Sequence, residues 1–176
     1  MAAMDYVAPI NELQQRQVVE HTLRYIRQAE ELYRAKISPL PVMFNLRGRS
    51  SGMYRVKGRH REIRYNPWIF ARHFDDCLAN TVPHEVAHYV SDCLWGLRRI
   101  RPHGAEWKSV MVAFGVEPSV TSNLPLDGIP QRRVTRVEYR CGCGSHQLGV
   151  RRHNRVLRGE SYYRCRRCGD ILVAGQ

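Results

Sequence analysis

The five residues His84-Glu85-Val86-Ala87-His88 constrain this chain more than any other segment, because their chemistry makes sense only on a helix. Positions i and i+4 lie one turn apart on one helix face, so both imidazoles can direct a nitrogen at one metal ion. Glu85 lies about 100° further round, beside such an ion, where a base for an activated water belongs. With 8 His and 10 Glu in 176 residues, a shuffled chain would contain the pattern only about 0.02 times. The segment predicts a zinc site of the peptidase type.

The flanking sequence favours a helix here. Asn80 or Thr81 fits an N-cap, Pro83 in the first turn needs no amide donor, and Gly96 favours a stop. Asp92, one turn beyond the second histidine, fits either an exposed helix position or a partner that orients an imidazole. Two histidines and a glutamate in a largely apolar helix would be costly to bury without partners, and a zinc ion supplies them.

A third ligand is expected downstream, and two residues compete for the role. A metzincin would have Gly and His three and six residues after His88, where this chain has Ser91 and Leu94, so that class is excluded. His103 precedes a glycine at the start of a second short predicted helix and can reach inward from a tight turn. Glu106 has the spacing of a His-His-Glu site. An acidic residue in the first turn of a helix is also stabilised by the helix dipole, so its presence there can be explained without a metal. The residues alone favour His103 and leave Glu106 as the alternative.

The C-terminal part of the chain predicts a second metal site. Its four cysteines form two close pairs separated by 21 residues, close to the spacing of a four-cysteine zinc ribbon: Cys141 and Cys143, then Cys165 and Cys168. The first pair is tighter than the usual Cys-x-x-Cys, and His146 could replace Cys141. Residues 136–176 are too few to be held by a hydrophobic core, so a structural zinc is expected to stabilise them.

Nothing in the sequence marks secretion. Residues 1–36 carry charges throughout with no apolar run of signal length, and no segment approaches the roughly twenty apolar residues of a membrane span. We therefore expect a cytoplasmic protein. Thiols stay reduced there, so metal binding is favoured over a disulfide-stapled module.

The active-site motif together with Pro102-His103-Gly104 and Trp107 resembles the SprT-like zinc metalloproteases, a family that includes the eukaryotic DNA-dependent protease Spartan. The resemblance covers nearly the whole chain, because the cysteine tail is also similar to that of bacterial members. It implies that His84, His88 and His103 bind a catalytic zinc and that Glu85 is catalytic. It also implies an endopeptidase acting on proteins, with DNA-bound or DNA-crosslinked proteins among its substrates.

The remaining pattern predicts an α+β fold, namely a zincin-like domain of helices and a small antiparallel sheet followed by the zinc ribbon. Residues 11–36 fit an amphipathic helix. Predicted strands cover residues 42–46, 53–56 and 62–65, and shorter ones residues 147–152, 155–158 and 161–164. The predicted domains are residues 1–115 and 136–176, joined by a linker over residues 116–135.

The charge of the chain indicates a nucleic-acid partner. Lys and Arg number 28 against 16 Asp and Glu, and 25 of the cations are Arg, which suits bidentate phosphate contacts. Residues 136–176 carry 9 Arg against 3 acidic residues, whereas residues 1–135 carry 19 cations against 13. Four thiolates on one Zn²⁺ would reduce the ribbon's +6 to about +4.

Arginines and tyrosines alternate in the ribbon, which suits single- or double-stranded DNA. Candidate contacts are Arg151, Arg152 and Arg155, and a second basic run extends from Arg47 to Arg64. The alternative to the endopeptidase is a non-enzymatic, zinc-stabilised nucleic-acid-binding regulator. Glu85 favours the enzyme, because a structural site needs no general base and usually has a fourth protein ligand.

Overall fold

A computed structural model of the protein describes residues 7–120, 123–131 and 135–175, and the chain divides into two compact units at residues 131 and 132. The first unit contains α1 (Glu12–Tyr33), β1 (Val42–Met43), β2 (Gly52–Lys57), β3 (His60–Tyr65), α2 (Pro67–Arg72), α3 (Phe74–Asp76), a π-helical turn (Cys77–Thr81), α4 (Val82–Trp95) and α5 (Ala105–Ala113). The second contains β4 (Arg136–Cys141), β5 (Gly144–Gly149), α6 (Val150–Leu157) and β6 (Val173–Ala174). Helices combined with small sheets confirm the α+β class.

Helix α1 starts at a capping box and packs one stripe on the core. The Asn11 side chain accepts a hydrogen bond from the Gln14 amide, and the Gln14 side chain accepts one from the Asn11 amide. The helix ends earlier than predicted, because Arg34 adopts a left-handed conformation with φ of 48°. The stripe is buried at Val18, Thr22, Tyr25, Ile26 and Ala29.

The sheet of the first unit is mixed, and the prediction of a purely antiparallel sheet is wrong. β2 and β3 form an antiparallel hairpin, but β1 runs parallel to β3, with Val42 opposite Ile63. The reason is the strand order β1-β3-β2: residues 44–51 carry the chain past β3, so the hairpin returns β3 in the direction of β1. β2 is thereby left at an edge of the sheet.

The chain is already helical before the His-Glu-x-x-His segment. The π-helical turn leads directly into α4, so Thr81 has helical backbone angles and its side chain does not cap the helix. Its hydroxyl instead donates to Ser51 Oγ at 3.1 Å, and the predicted N-cap is wrong for this reason. The predicted stop is confirmed, because α4 ends at Trp95 and Gly96 follows with φ of 80°.

Helix α4 lies at the centre of the first unit. It contacts α1, α5 and β2. Val82, Val86 and Val90 are fully buried, so the helix that carries the motif is fixed on several sides.

The second unit is a three-stranded antiparallel sheet, in the order β5-β4-β6, with one helix. The strand predicted over residues 147–152 is confirmed only at residues 147–149, which belong to β5, because α6 begins at Val150 and also replaces the strand predicted over residues 155–158. The strand predicted over residues 161–164 is wrong, since only Arg164 forms a bridge there, with Ile171. The less exposed positions of α6 are Val150, His153 and Val156, a spacing of three that is typical of a helix rather than a strand. His153 Nδ1 lies 3.0 Å from the Tyr139 hydroxyl and ties the helix to the sheet.

The segment predicted as a linker, residues 116–135, is described except at residues 121, 122 and 132–134. Within the described part, Ile129 is buried in the first core, and Val116, Leu124 and Leu126 pack against it. No helix among the described residues is long and apolar enough to cross a membrane.

Candidate metal centres

Three imidazoles converge on one point beside α4. The Nε2 atoms of His84 and His88 are 3.3 Å apart, and Nε2 of His103 lies 3.1 Å from each. These three residues form a group of potential metal ligands. Tetrahedral zinc with Zn–N bonds of about 2.05 Å would separate its nitrogen ligands by about 3.3 Å. The spacing therefore fits a zinc ion held by three imidazoles.

His103 reaches the cluster from a tight turn. Its φ is 55°, in the left-handed region, and the following Gly104 amide donates to the Arg101 carbonyl at 2.9 Å. A Cβ at position 104 would lie 2.9 Å from that carbonyl oxygen, so the turn requires glycine. Glu106, the alternative third ligand, lies in the first turn of α5 and is not part of the histidine group.

Trp107 forms one wall of the histidine cluster. Its ring centroid lies 4.7 Å from those of His84 and His103 and 5.6 Å from that of His88. The indole N–H donates to the His84 carbonyl at 3.2 Å, and the side chain is 1% exposed. The sequence contained this tryptophan in the family motif, but only the packing shows that it restrains all three rings.

The environment keeps the three imidazoles neutral. Burial, together with the neighbouring imidazoles, lowers the pKa of His84 to about 4 and that of His88 to about 3. Burial also lowers the pKa of His103. Neutral imidazole is the form that binds metal, and a hydrogen bond with the Ser119 backbone orients the His84 ring.

Glu85 lies beside the cluster but is not one of its grouped ligands. The residue is 6% exposed, and Oε2 accepts a hydrogen bond from the Tyr54 amide at 2.6 Å. Burial raises the pKa of Glu85 to about 8, and the Tyr54 hydrogen bond opposes part of the rise. A cleft of about 500 Å³ opens onto Glu85 and His84, with Gly52 and Asn80 also in its wall.

Asp92 is buried, so its interpretation as an exposed helix residue is wrong. Its Oδ2 accepts hydrogen bonds from the Tyr54 hydroxyl at 2.7 Å and Arg61 Nε at 2.6 Å, and Oδ1 accepts one from the Leu97 amide at 3.1 Å. Burial alone would raise the pKa of Asp92, but these hydrogen bonds lower it below its usual value. Asp92 thus ties α4 to β2 and β3.

The second cluster contains five potential ligands. Cys141, Cys143, His146 and Cys165 offer ligand atoms within 4.8 Å of one another. Cys168 Sγ lies 3.6 Å from Cys141 Sγ. The Sγ atoms of Cys141 and Cys143 are 3.4 Å apart, close to the separation of about 3.8 Å expected on tetrahedral zinc. All four predicted cysteines come together, and His146 joins them.

Local backbone geometry favours a thiolate at Cys141 and Cys165, whose pKa values are lowered by backbone hydrogen bonds. Cys141 and Cys143 flank the tight turn between β4 and β5. Hydrogen bonds from the backbone amides of Cys168 and Arg167 lower the pKa of Cys165 to about 6. All cysteines of the chain are free thiols, which is consistent with metal binding.

Comparison with known proteins decides the family. The model of the SprT-like family matches residues 22–127, a range that contains Glu85 and the three histidines. The chain belongs to the SprT-like family. The resemblance seen in the sequence is thereby confirmed.

The curated relatives cover both units of the chain. Protein SprT of Shewanella oneidensis is 37% identical over 90% of this chain and 98% of its own length. Protein SprT of Klebsiella pneumoniae is 39% identical over 90% of both chains, and that of Salmonella newport is 43% identical over 76% of this chain and 78% of its own. No solved structure matches the chain at a significant level.

The arginines predicted to contact nucleic acid are exposed on α6. Arg151 and Arg155 lie one turn apart on the same face. The Arg152 guanidinium stacks 5.6 Å above the Tyr163 ring, and Arg155 lies 3.8 Å from Glu160. The three cations therefore form a basic surface on one short helix.

Proposed function

We propose that this protein is a zinc-dependent endopeptidase with a zincin-like catalytic domain in residues 1–115. In this proposal His84, His88 and His103 hold the catalytic zinc and Glu85 is the general base. The observation that carries it is a buried carboxylate beside three convergent imidazoles in the wall of an open cleft.

The ligand count supports a catalytic site. Within the described residues, no fourth His, Cys, Asp or Glu belongs to the histidine group. Structural zinc sites usually have four protein ligands, whereas catalytic sites have three and an open position. A purely structural metal site would also not explain why the Glu85 carboxylate is buried beside the histidines.

Glu85 accounts for proton transfer in the proposed mechanism. Bound zinc would supply Lewis acidity, polarising the scissile carbonyl and making water more acidic. The Tyr54 amide anchors Glu85 through Oε2, and the other carboxylate oxygen can exchange a proton with the attacking water. The proton that Glu85 takes from the water can then pass to the leaving amine.

The sheet edge suits a polypeptide substrate. β2 is an edge strand, and its first residue, Gly52, lies in the wall of the cleft. An edge strand can pair with an extended peptide through its backbone. We therefore propose protein substrates, including proteins bound or crosslinked to DNA.

The C-terminal unit is proposed to be a zinc ribbon, residues 136–176, that binds DNA. Its structural zinc would be held by Cys141, Cys143, Cys165 and Cys168. Arg151, Arg152 and Arg155 would contact phosphates, which bind planar guanidinium groups well. We propose the cytoplasm as its compartment, where such thiols stay reduced.

The test of the proposed function is a Glu85→Gln substitution. Cleavage of an unfolded protein and of a DNA-binding protein is measured with no DNA, with single-stranded DNA and with double-stranded DNA. The catalytic rate of Glu85→Gln should fall by about 10²–10⁴-fold, the usual contribution of a general base. Zinc content and the unfolding temperature should match those of the wild type, because Gln is nearly isosteric and Glu85 is not a ligand.

Two results would overturn this assignment. Loss of zinc from Glu85→Gln would make Glu85 a ligand and remove the basis for His103. Zinc-dependent DNA binding without cleavage under any of the three DNA conditions would instead establish the non-enzymatic regulator.

A further inference from the structure

The segment that begins β2 is fastened to one face of the motif helix at three points. Ser51 accepts a hydrogen bond from Thr81 at 3.1 Å, and the Tyr54 amide and hydroxyl donate to Glu85 and Asp92 at 2.6 and 2.7 Å. The three helix residues are separated by four and seven positions, so they lie on the same face. The edge strand therefore has a fixed register along the helix.

Gly52 allows this close approach. A Cβ at position 52 would lie 2.6 Å from Glu85 Cγ, 2.7 Å from Glu85 Oε1 and 2.8 Å from Thr81 Cγ2. Real Cβ atoms essentially never approach other atoms so closely, and the Glu85 side chain is buried. Any side chain at this position would displace the carboxylate.

Asp92 fixes the other end of the contact. Its carboxylate is 4% exposed and is held by Arg61 from β3 and by the Leu97 amide beyond the end of α4. The Tyr54 hydroxyl completes this group of donors. Because none of these partners belongs to the histidine cluster, the anchor does not depend on bound metal.

We propose that Gly52 and Tyr54 are positioning residues for Glu85. The proposal rests on the proposed peptidase function, in which Glu85 exchanges a proton with water. Gly52 leaves the space that the Glu85 carboxylate occupies. The Tyr54 backbone amide holds Oε2 of Glu85 by a hydrogen bond. The Tyr54 phenol is bonded to Asp92 and thereby sets the position of the Tyr54 amide. Neither residue needs to touch the substrate for this role.

The decisive variants are Gly52→Ala and Tyr54→Phe in the full-length zinc-loaded protein. Gly149→Ala is the control for the first, because a Cβ there meets nothing within 4 Å. Tyr89→Phe is the control for the second, because its ring packs 5.8 Å from that of Tyr54 but its hydroxyl donates to the Ser38 carbonyl at 2.6 Å rather than to Asp92. Each variant is measured for zinc content, unfolding temperature, kcat and KM.

Gly52→Ala should lower kcat by about 10²-fold, the cost of a misplacement of about 1 Å, with little change in KM or zinc content. Tyr54→Phe should lower kcat by about three- to tenfold, since the loss of its hydrogen bond to Asp92 loosens the position of the Tyr54 amide without removing the amide's hydrogen bond to Glu85. Both controls should retain wild-type kcat.

Acetohydroxamate binding by the zinc-loaded protein gives a second readout that needs no turnover. This probe chelates zinc and hands its acidic proton to a neighbouring carboxylate, so its affinity reports the position of Glu85. Affinity should fall about tenfold in Glu85→Gln and in Gly52→Ala, equivalent to one good charge-assisted hydrogen bond. Tyr54→Phe should show a smaller fall.

Wild-type kcat and wild-type hydroxamate affinity in zinc-loaded Gly52→Ala would overturn the positioning role while leaving the peptidase proposal intact. If Gly52→Ala does not fold, the kcat and the hydroxamate affinity of Tyr54→Phe decide the positioning role by the same criterion. If the wild-type protein cleaves nothing, the peptidase proposal fails. Hydroxamate affinity then decides the positioning role: a fall in Gly52→Ala supports it, and no change overturns it.

Discussion

The two units arrive at metal-binding geometry in opposite ways. Among the described residues, the core of the first unit has 21 buried side chains, and the histidines lie beside it. The core of the second has four, and one of these is Cys165, itself a potential ligand. Where a hydrophobic core stabilises the fold, a bound metal is not needed for folding and can act in catalysis. Where the core is this small, the proposed zinc would supply much of the folding free energy.

The largest expected effect is on the folding of the second unit. Cys165→Ser should release one zinc per chain and unfold residues 136–176, because structural zinc contributes about 10–16 kcal/mol of apparent binding free energy. His84→Ala should release the other zinc and leave both units folded. Metal analysis and amide hydrogen exchange of each variant measure the two effects.

Cys93→Ser is the matched control, because Cys93 is exposed and lies outside both clusters. It should keep both zinc ions. If Cys165→Ser and His84→Ala emptied the same single site, the contrast between the units would disappear. Comparing His146→Ala with Cys168→Ser then identifies the fourth ligand, since only the true ligand's loss should release zinc.

The next effect concerns DNA. Replacing Arg151, Arg152 and Arg155 with Ala should weaken binding to all sequences alike and flatten the plot of log K against log salt by about 1 per arginine. Fluorescence titrations at several salt concentrations measure both quantities.

The control removes the same charge from exposed positions outside both basic segments, through Ala at Arg16, Arg27 and Arg98. Zinc content of the ribbon variant checks that the ribbon stays folded. Deleting residues 136–176 should cost DNA affinity while the histidine site keeps its zinc. Equal affinity of the truncated and full-length proteins would move the DNA site to the run from Arg47 to Arg64.

The smallest expected effect is on the stability of the first unit, and it tests whether contacts within the protein stabilise this unit without metal. Asp92→Asn should lower the free energy of unfolding by about 1–2 kcal/mol near neutral pH, a value that allows for the half-exposed Arg61 partner. Because folding lowers the pKa of Asp92, its contribution is present above the unfolded pKa of about 3.9 and is lost as pH falls through the folded value. Denaturant unfolding of both proteins should therefore converge below about pH 4. A difference that stayed constant down to pH 3 would contradict the charged role of Asp92.

Local patterns identified the motif helix and its neighbours well. The Gly96 stop and the turn at His103 depend on a few adjacent residues, and each lies where local chemistry predicts it. The candidate ligands could also be identified from the sequence, because metal binding restricts residue choice to a few side chains, and the structure brings these side chains together.

Contacts between segments that are distant in the sequence could not be predicted from local residue patterns. Gly52 and Tyr54 lie about thirty positions from Glu85 in the sequence. The residue pattern of a strand does not show which residues of a helix that strand will contact. The parallel pairing of β1 depends on how residues 44–51 cross the sheet. Helix α6 was mistaken for strands because its helical spacing depends on only three positions, Val150, His153 and Val156. The contact of His153 with Tyr139, which ties the helix to the sheet, cannot be seen in the sequence.

The left-handed backbone of His103 has an evolutionary consequence. Its φ of 55° costs a non-glycine residue about 1–2 kcal/mol, which glycine would recover. Selection for stability alone would therefore favour replacement of this histidine, whereas His84 and His88 lie on a helix that tolerates them without strain. If the proposed peptidase function holds, members of a lineage released from it are expected to lose the residue at position 103 first. A SprT-like sequence that has kept its helix histidines but carries glycine at this turn would then be a candidate pseudoenzyme.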